Sequence, residues 1–530
     1  VPSRAKARAV PRRAKPAARK PARPKAKPRG KPTGKARATA KRPASKPAPK
    51  AKASRPAASA KPAPKSAAKR SAKPEARAAA SAKPSKTANG TGKDADLSVA
   101  GQVYQRGRLV PGVLHIDTGS GRIVRLAKST TLATHIDAGQ KAILPGAIDI
   151  HVHFREPGHT HKEDFTTGST AAAFGGVTGF VDMPNTLPAT ISVRTLKEKL
   201  ALAQRKSVVD YAAWAGGTWY TGDLPEMLRW AVGVKTYLGA TTGDLLLEDQ
   251  QRFAEVLTAA GKEGRPVALH CESQRVLQQL RRNEGTLEDH DHARPPLAEV
   301  EAIYDAMKAL AGVKKAPPVH VAHVASPDAV AAATSAKFSS GICPHHLLLD
   351  TTVGLSHAYG KMNPPLRSPA MRKALLEAFA AGKIPILESD HAPHTRVEKE
   401  DSFHNAPSGV PGVETMLPLM LAQANGKLPL QRIVEAVTTA PAALLGLKDR
   451  GVLEPGMRAD FVLVDLKKPT KVVSAELHSK CGWSPYDGLK AVFPSHTFLA
   501  GKPVVQDGQL VAQPGSAGPL KPLPGPLPTL

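Results

Sequence analysis

Cysteine is scarce in this chain. Its 530 residues include three, Cys271, Cys343 and Cys481, and none are spaced as a CxxC pair. An odd, sparse set excludes a disulfide framework and fits a reducing compartment, so a cytoplasmic protein is expected. Acidic residues are almost missing from one end. Through Lys93 the chain carries 30 of its 75 lysines and arginines but one of its 44 carboxylates, Glu75. The net charge of +31 is therefore +29 in that segment and +2 in all that follows. Aromatic residues are absent before Tyr104. Residues 1–93 are nearly all Ala, Lys, Arg, Pro and Ser, too apolar-poor to offset the entropy of ordering, so a disordered basic tail is expected. Such a tail attracts nucleic acid or other polyanions weakly and non-specifically, because it has no rings on which bases could stack. No run of about 18 apolar residues occurs, which excludes a transmembrane helix and any membrane partner of that kind. No GxGxxG follows a strand, which argues against a dinucleotide-binding sheet.

What is present is patterned. Residues 94–145 contain short alternating segments ("GQVYQRGRLV", "GRIVRLA", "KAILPG") that read as strands between glycine turns. Residues 449–513 hold a second such group ("ADFVLVDL", "HTFLAGKPVVQDGQLV"). Together they are expected to build one small β-sandwich domain from both ends, with 514–530 left as a Pro-rich tail. Between them, residues 146–448 alternate helical stretches such as "SVRTLKEKLALAQRK" and "EDQQRFAEVLTAAGKEG" with short apolar runs such as "RPVALHCE" and "IPILESDH". Parallel βα units over about 300 residues suit an α/β fold of the (β/α)8 TIM-barrel type. Polar residues recur where the apolar runs end: His151, His153, Asn185, Lys235, His270, His323 and Asp390. A barrel gathers strand ends into one mouth.

In "IDIHVHFREPG" the two histidines of HVH alternate with apolar residues, which puts both imidazoles on one face of a strand. Imidazole nitrogen with carboxylate oxygen suits zinc or a similar ion. His151, His153, His270, His323 and Asp390 are too many for one tetrahedral site with an open position. They point to two metals, which at roughly 3.5–4 Å apart share a hydroxide and polarise a carbonyl.

The stretch "IDIHVHFREPGHTHKEDFTTGSTAAAFGGVTGFVDMPNT" resembles the signature of the dihydroorotase family, cyclic-amide hydrolases of the amidohydrolase superfamily. "ICPHHLLL", "KMNPPLRS", "SDHAPHT", "APSGVPGVETMLPLML" and "SKCGWSP" resemble further blocks in the family's order. The resemblance implies reversible cyclisation of N-carbamoyl-L-aspartate to dihydroorotate in pyrimidine biosynthesis. It also implies two Zn2+ per subunit, one on His151 and His153, the other on His270 and His323, with Asp390 binding the first and serving as general base and acid. Lys235 stands where the family has its bridge, and carboxylation by CO2 would turn a poor ligand into a two-oxygen anion. Arg155 is expected to hold the substrate carboxylate, since a guanidinium donates two parallel hydrogen bonds to it. Asn185, Asn363, His394 and the backbone at Ser408-Gly409 are implied substrate contacts, with Arg367 as a helper. A homodimer is a further expectation. The alternatives are an allantoinase- or dihydropyrimidinase-like hydrolase, whose substrates lack the carboxylate Arg155 would hold, and a non-catalytic dihydroorotase-like partner protein.

Overall fold

In the computed structural model, strands β1 (Leu97–Gln105), β2 (Arg108–Asp117), β3 (Arg122–Ala127) and β4 (His135–Pro145) open the fold. Residues 95–529, except 242, 425 and 427, are described; the basic tail of the sequence reading lies outside them. These four strands join one sheet with β14 (Phe461–Val464) and the hairpin strands that follow it. The join is antiparallel, with Val462 opposite Leu144 and Leu463 opposite Ile143. The two ends of the chain thus meet in one eight-stranded sheet, as the alternating segments predict. Val99, Leu114, Ile116, Phe461 and Phe498 give it a core of its own.

Next come β5 (Ala147–Val152), β6 (Val177–Asp182), β7 (Asp210–Ala213), β8 (Ala215–Gly216), β9 (Val234–Tyr237), β10 (Val267–His270), β11 (Val319–Val321), β12 (Ser339–Ile342) and β13 (Ile386–Leu387). All pair in parallel. Only Trp214 separates β7 from β8, so among the described residues they count as one strand and eight positions close the ring. Closure comes from the bridge between Val152 and His391, where His153 N donates to His391 O at 2.8 Å. Helices cover the outside, their apolar faces packed on the outward residues of the strands. The chain is a (β/α)8 barrel with a flanking β domain.

One irregularity of β5 decides where the site forms. Ile148 and Ile150 belong to the cluster inside the barrel with Val181, Trp214, Ala268 and Ile386. Strict alternation from them would turn His151 and His153 outward, because one residue of slip exchanges the faces of a strand. The register with β6 shifts between Asp149 and Val152. Beyond that bulge Val152 and Phe154 pack outward against Phe165 and Phe180, and the two imidazoles face in.

The C-terminal segment is built into the fold instead of hanging from it as a tail. Tyr211 N donates to Gly518 O, and Leu520 N to Tyr211 O at 2.8 Å. Leu520, 3% exposed, enters the interior cluster over Gly179, where a Cβ would lie 2.5 Å from its Cδ2. Proline in this segment limits regular structure but not burial. Leu520→Ala is therefore expected to cost about 2–5 kcal/mol, as for other fully buried leucines, read as a lower urea midpoint at unchanged slope.

Candidate metal centre and substrate pocket

The barrel's strand ends converge on a pocket with about 360 Å³ of empty space. Its walls include His151, His153, Arg155, Asn185, His270, His323, Asn363, Asp390, Ser408 and Gly409. Sequence positions up to 258 apart thus meet in one place. Three of these residues, Arg155 (φ 61°), His323 (φ 39°) and Asp390 (φ 45°), occupy the left-handed region although none is glycine. Each such turn costs on the order of 1–3 kcal/mol, and each aims a side chain across the barrel mouth as its strand ends.

The donor atoms fall into two groups. His151 Nε2 lies 3.4 Å and His153 Nε2 3.2 Å from Asp390 Oδ1, and these three residues form one cluster of ligand type. His270 Nδ1 stands 3.1 Å from His323 Nε2, and the His323 ring is 5.0 Å from that of His151. Burial lowers the His151 pKa to about 4 and moves those of His153 and His323 well down, so these imidazoles are neutral and keep a lone pair. Burial also raises the Asp390 pKa. Lys235, whose charge acts on the histidines of both groups, is fully buried, its Nζ without a hydrogen-bond partner among the described residues. Burial brings its pKa down to about 8. A cage of inward lone pairs, a carboxylate and an unpartnered amine fits divalent ions.

The far nitrogens of three of the four imidazoles face oxygen, whereas His323 Nδ1 has no hydrogen-bond partner among the described residues. His153 Nδ1 lies 2.7 Å from Asn185 Oδ1, and His270 Nε2 lies 2.8 Å from Glu272, which Arg294 also holds. His151 Nδ1 is 3.4 Å from Glu388 Oε2, so a ring N–H there faces the carboxylate without a well-formed hydrogen bond. Burial opposes ionisation of Glu388, yet His151 and His320 beside it keep its pKa well below the usual range. An acceptor on the outer nitrogen fixes the ring proton there and leaves the inner nitrogen free to ligate. Glu272, Glu388 and the pocket residue Tyr237 escape the sequence reading, although a signal exists. Each stands two residues from a site residue, His270, Asp390 and Lys235 respectively, which is the period of a strand.

Arg155 is 3% exposed; its Nε donates to Pro393 O at 3.1 Å, and burial lowers its pKa to about 10, still charged at neutrality. His394 does not reach the pocket wall. It stands behind Arg155, with Nε2 3.1 Å from both an Arg155 nitrogen and Ser408 O. Lys162 donates to its Nδ1 at 3.0 Å, which places the ring proton on Nε2, toward the Ser408 carbonyl.

Arg367 is displaced from its expected place. Arg367 is 2% exposed, and its two terminal nitrogens donate to Asp291 (2.6 Å), Glu299 (2.7 Å) and the Arg294 carbonyl. The arginine is a buried strut between the Asn363 loop and the helix Pro296–Ala311, not a pocket residue.

Residues 142–504 match the amidohydrolase family model. The chain is 35% identical over 439 residues to a dihydroorotase of Methanosarcina acetivorans, covering 78% of this chain and 92% of that one. It is 39% identical over 375 residues to a dihydroorotase of Halobacterium salinarum, covering 70% and 87%. Among solved structures it is similar to the L-hydantoinase (dihydropyrimidinase) of Arthrobacter aurescens, at TM-score 0.75, 27% identity and coverage of 80% and 99%. The dihydropyrimidinase of Brevibacillus agri gives 0.72, 25%, 80% and 97%.

Proposed function

The chain belongs to the amidohydrolase family and within it to the dihydroorotases, and from that premise we propose how its pocket works. It is a cyclic-amide hydrolase that interconverts N-carbamoyl-L-aspartate and dihydroorotate in pyrimidine biosynthesis. One observation carries the assignment of roles: Arg155 opens into the same pocket as the His/Asp ligand group.

In this reading His151, His153 and Asp390 would hold one zinc ion and His270 and His323 a second, with Lys235, once carboxylated by CO2, as the ligand they would share. When bound, the ions supply a water that ionises near neutral pH and a Lewis-acid contact for the amide oxygen. Asp390 takes up the proton released in the attack and passes it to the departing ring nitrogen, a task its raised pKa favours. Arg155 fixes the substrate carboxylate through paired N–H donors, its Nε anchored on the Pro393 carbonyl. Asn185, Asn363 and the backbone at Ser408-Gly409 complete the wall around the ring. In the biosynthetic direction the same groups serve in reverse: Asp390 removes the proton as the carbamoyl nitrogen closes on the side-chain carboxyl and returns it to the carboxyl oxygen, whose bond to carbon breaks and which departs as water.

The similar hydantoinase and dihydropyrimidinase structures share the barrel. Among the described residues no carboxylate pairs directly with the buried Arg155 guanidinium, although Asp390 acts on it across the pocket, and this favours an anionic substrate. Three free, buried cysteines support placement in the cytoplasm, and among the described residues no helix is long and apolar enough to cross a membrane. Homodimer assembly and polyanion binding by residues 1–93 complete the proposal on sequence grounds alone.

Stripping the purified protein with a chelator tests the metal assignment. Hydrolysis of dihydroorotate is expected to vanish and to return with zinc, activity requiring the two ions of the barrel mouth; undiminished turnover of the metal-free protein would overturn it. Glu272→Gln is expected to weaken zinc binding about 10- to 100-fold without unfolding the chain, read by competition with a chromogenic chelator.

A further inference from the structure

Beside the catalytic group lies a second cluster of ligand-type side chains that the reaction does not use. Cys343, His345 and His346 follow β12 at the start of the short helix Pro344–Leu348. All three are buried, at 0%, 0% and 2% exposure. The thiol sulfur and one ring nitrogen of each histidine lie within 4.8 Å of one another. Neither His345 Nε2 nor His346 Nδ1 has a hydrogen-bond partner among the described residues. Buried polar atoms are nearly always satisfied, so two orphaned lone pairs next to a buried thiol require an explanation.

The outer contacts choose the tautomers. His346 Nε2 lies 3.1 Å from the Pro364 carbonyl, which can only accept, so the ring proton is on Nε2 and Nδ1 carries a lone pair. His345 Nδ1 lies 3.4 Å from the Tyr486 hydroxyl, which can accept its proton and leave Nε2 free in the same way. An imidazole that donates outward to a carbonyl or hydroxyl presents the inner nitrogen of a metal ligand.

We propose that Cys343, His345 and His346 bind one metal ion of the zinc class, separate from the catalytic pair. One thiolate and two imidazoles form a borderline-soft set that zinc takes up readily. With bonds of about 2.0–2.3 Å, tetrahedral ligand atoms sit roughly 3.5 Å apart, so closing the cluster takes shifts on the order of 1 Å. Burial, with Asp390 next in effect, holds the Cys343 thiol pKa far above its ordinary value when no cation is near. A bound ion supplies the positive charge that ionises it. The site is sealed from solvent, so its role is structural. It ties the end of β12 to the loop at Pro364, and the neighbouring Asn363 forms part of the pocket wall.

Cobalt(II) loaded into the full-length protein reports on sulfur directly, because ligands of nitrogen and oxygen give no thiolate-to-cobalt charge-transfer band. The loaded wild type is expected to show that near-ultraviolet band. Cys343→Ser is expected to lose it together with one equivalent of cobalt, whereas Cys271→Ser, which alters the other buried cysteine of the barrel, keeps both. Zinc-edge X-ray absorption on the unmutated protein gives an independent reading should Cys343→Ser fail to fold, with sulfur expected in the averaged zinc shell. A cobalt-loaded wild type without the band, a band that survives Cys343→Ser, or a zinc shell of nitrogen and oxygen alone would overturn the proposal. Loss of the catalytic ions in the same preparations would leave the sulfur signal, so the two assignments fail separately.

Discussion

Lys235→Ala is expected to strip most of the bound metal and to lower turnover of dihydroorotate by more than the roughly 10- to 100-fold that losing an outer hydrogen-bond partner costs. The lysine is wholly buried within β9, its charge acting on the histidines of both ligand groups, with no hydrogen-bond partner among the described residues. Its depressed pKa of about 8 has a chemical consequence. Near pH 7 about one side chain in ten is the neutral amine, against fewer than one in a thousand for an ordinary lysine, and the neutral form is what reacts with CO2. A small carboxylic acid added to the alanine variant would place two oxygens in the vacated space and restore part of both metal and activity. Full metal occupancy with normal turnover in Lys235→Ala would remove Lys235 from the bridge.

Arg155→Met should lower catalytic efficiency toward dihydroorotate by at least about tenfold to a hundredfold, with about a hundredfold or more if both bonds are lost, and leave the metal content unchanged. Methionine preserves much of the apolar bulk but removes a paired, charge-assisted contact, and hydrogen bonds to charged groups contribute roughly 1.5–3 kcal/mol each. Orientation suffers as well, since a slight misplacement near the reacting carbonyl costs further rate. A neutral cyclic imide should lose little from the same substitution. Equal losses for both substrates, or loss of metal, would make Arg155 a structural residue, a role its bond to the Pro393 carbonyl would then explain.

The residues explain which parts of this were legible in advance. The barrel and the two-ended sheet announce themselves through local period, because each strand's alternation and each helix's apolar stripe is written within about ten residues. The pocket residues were legible for a related reason: polar groups at the ends of apolar runs must converge once the barrel closes. Even so, the inward aim of His151 depends on a bulge in β5 that alternation alone would not predict. Arg367 could not be placed, because its partners Asp291 and Glu299 lie some seventy positions upstream and only the folded loop brings them near. Leu520 was hidden by its setting, a proline-rich end in which this buried side chain fills space left by Gly179. Glu272 and Glu388 act through other side chains, and nothing but strand period marks them.

The central claim is that this pocket is built for a cyclic amide that carries a carboxylate. Its most direct test is the ratio of kcat/KM for dihydroorotate to that for dihydrouracil, the same ring without the carboxylate, on one metal-replete preparation. Two charge-assisted hydrogen bonds from Arg155 predict a ratio of about a hundred or more in favour of dihydroorotate. A ratio near one, or faster turnover of the neutral ring, would contradict the account.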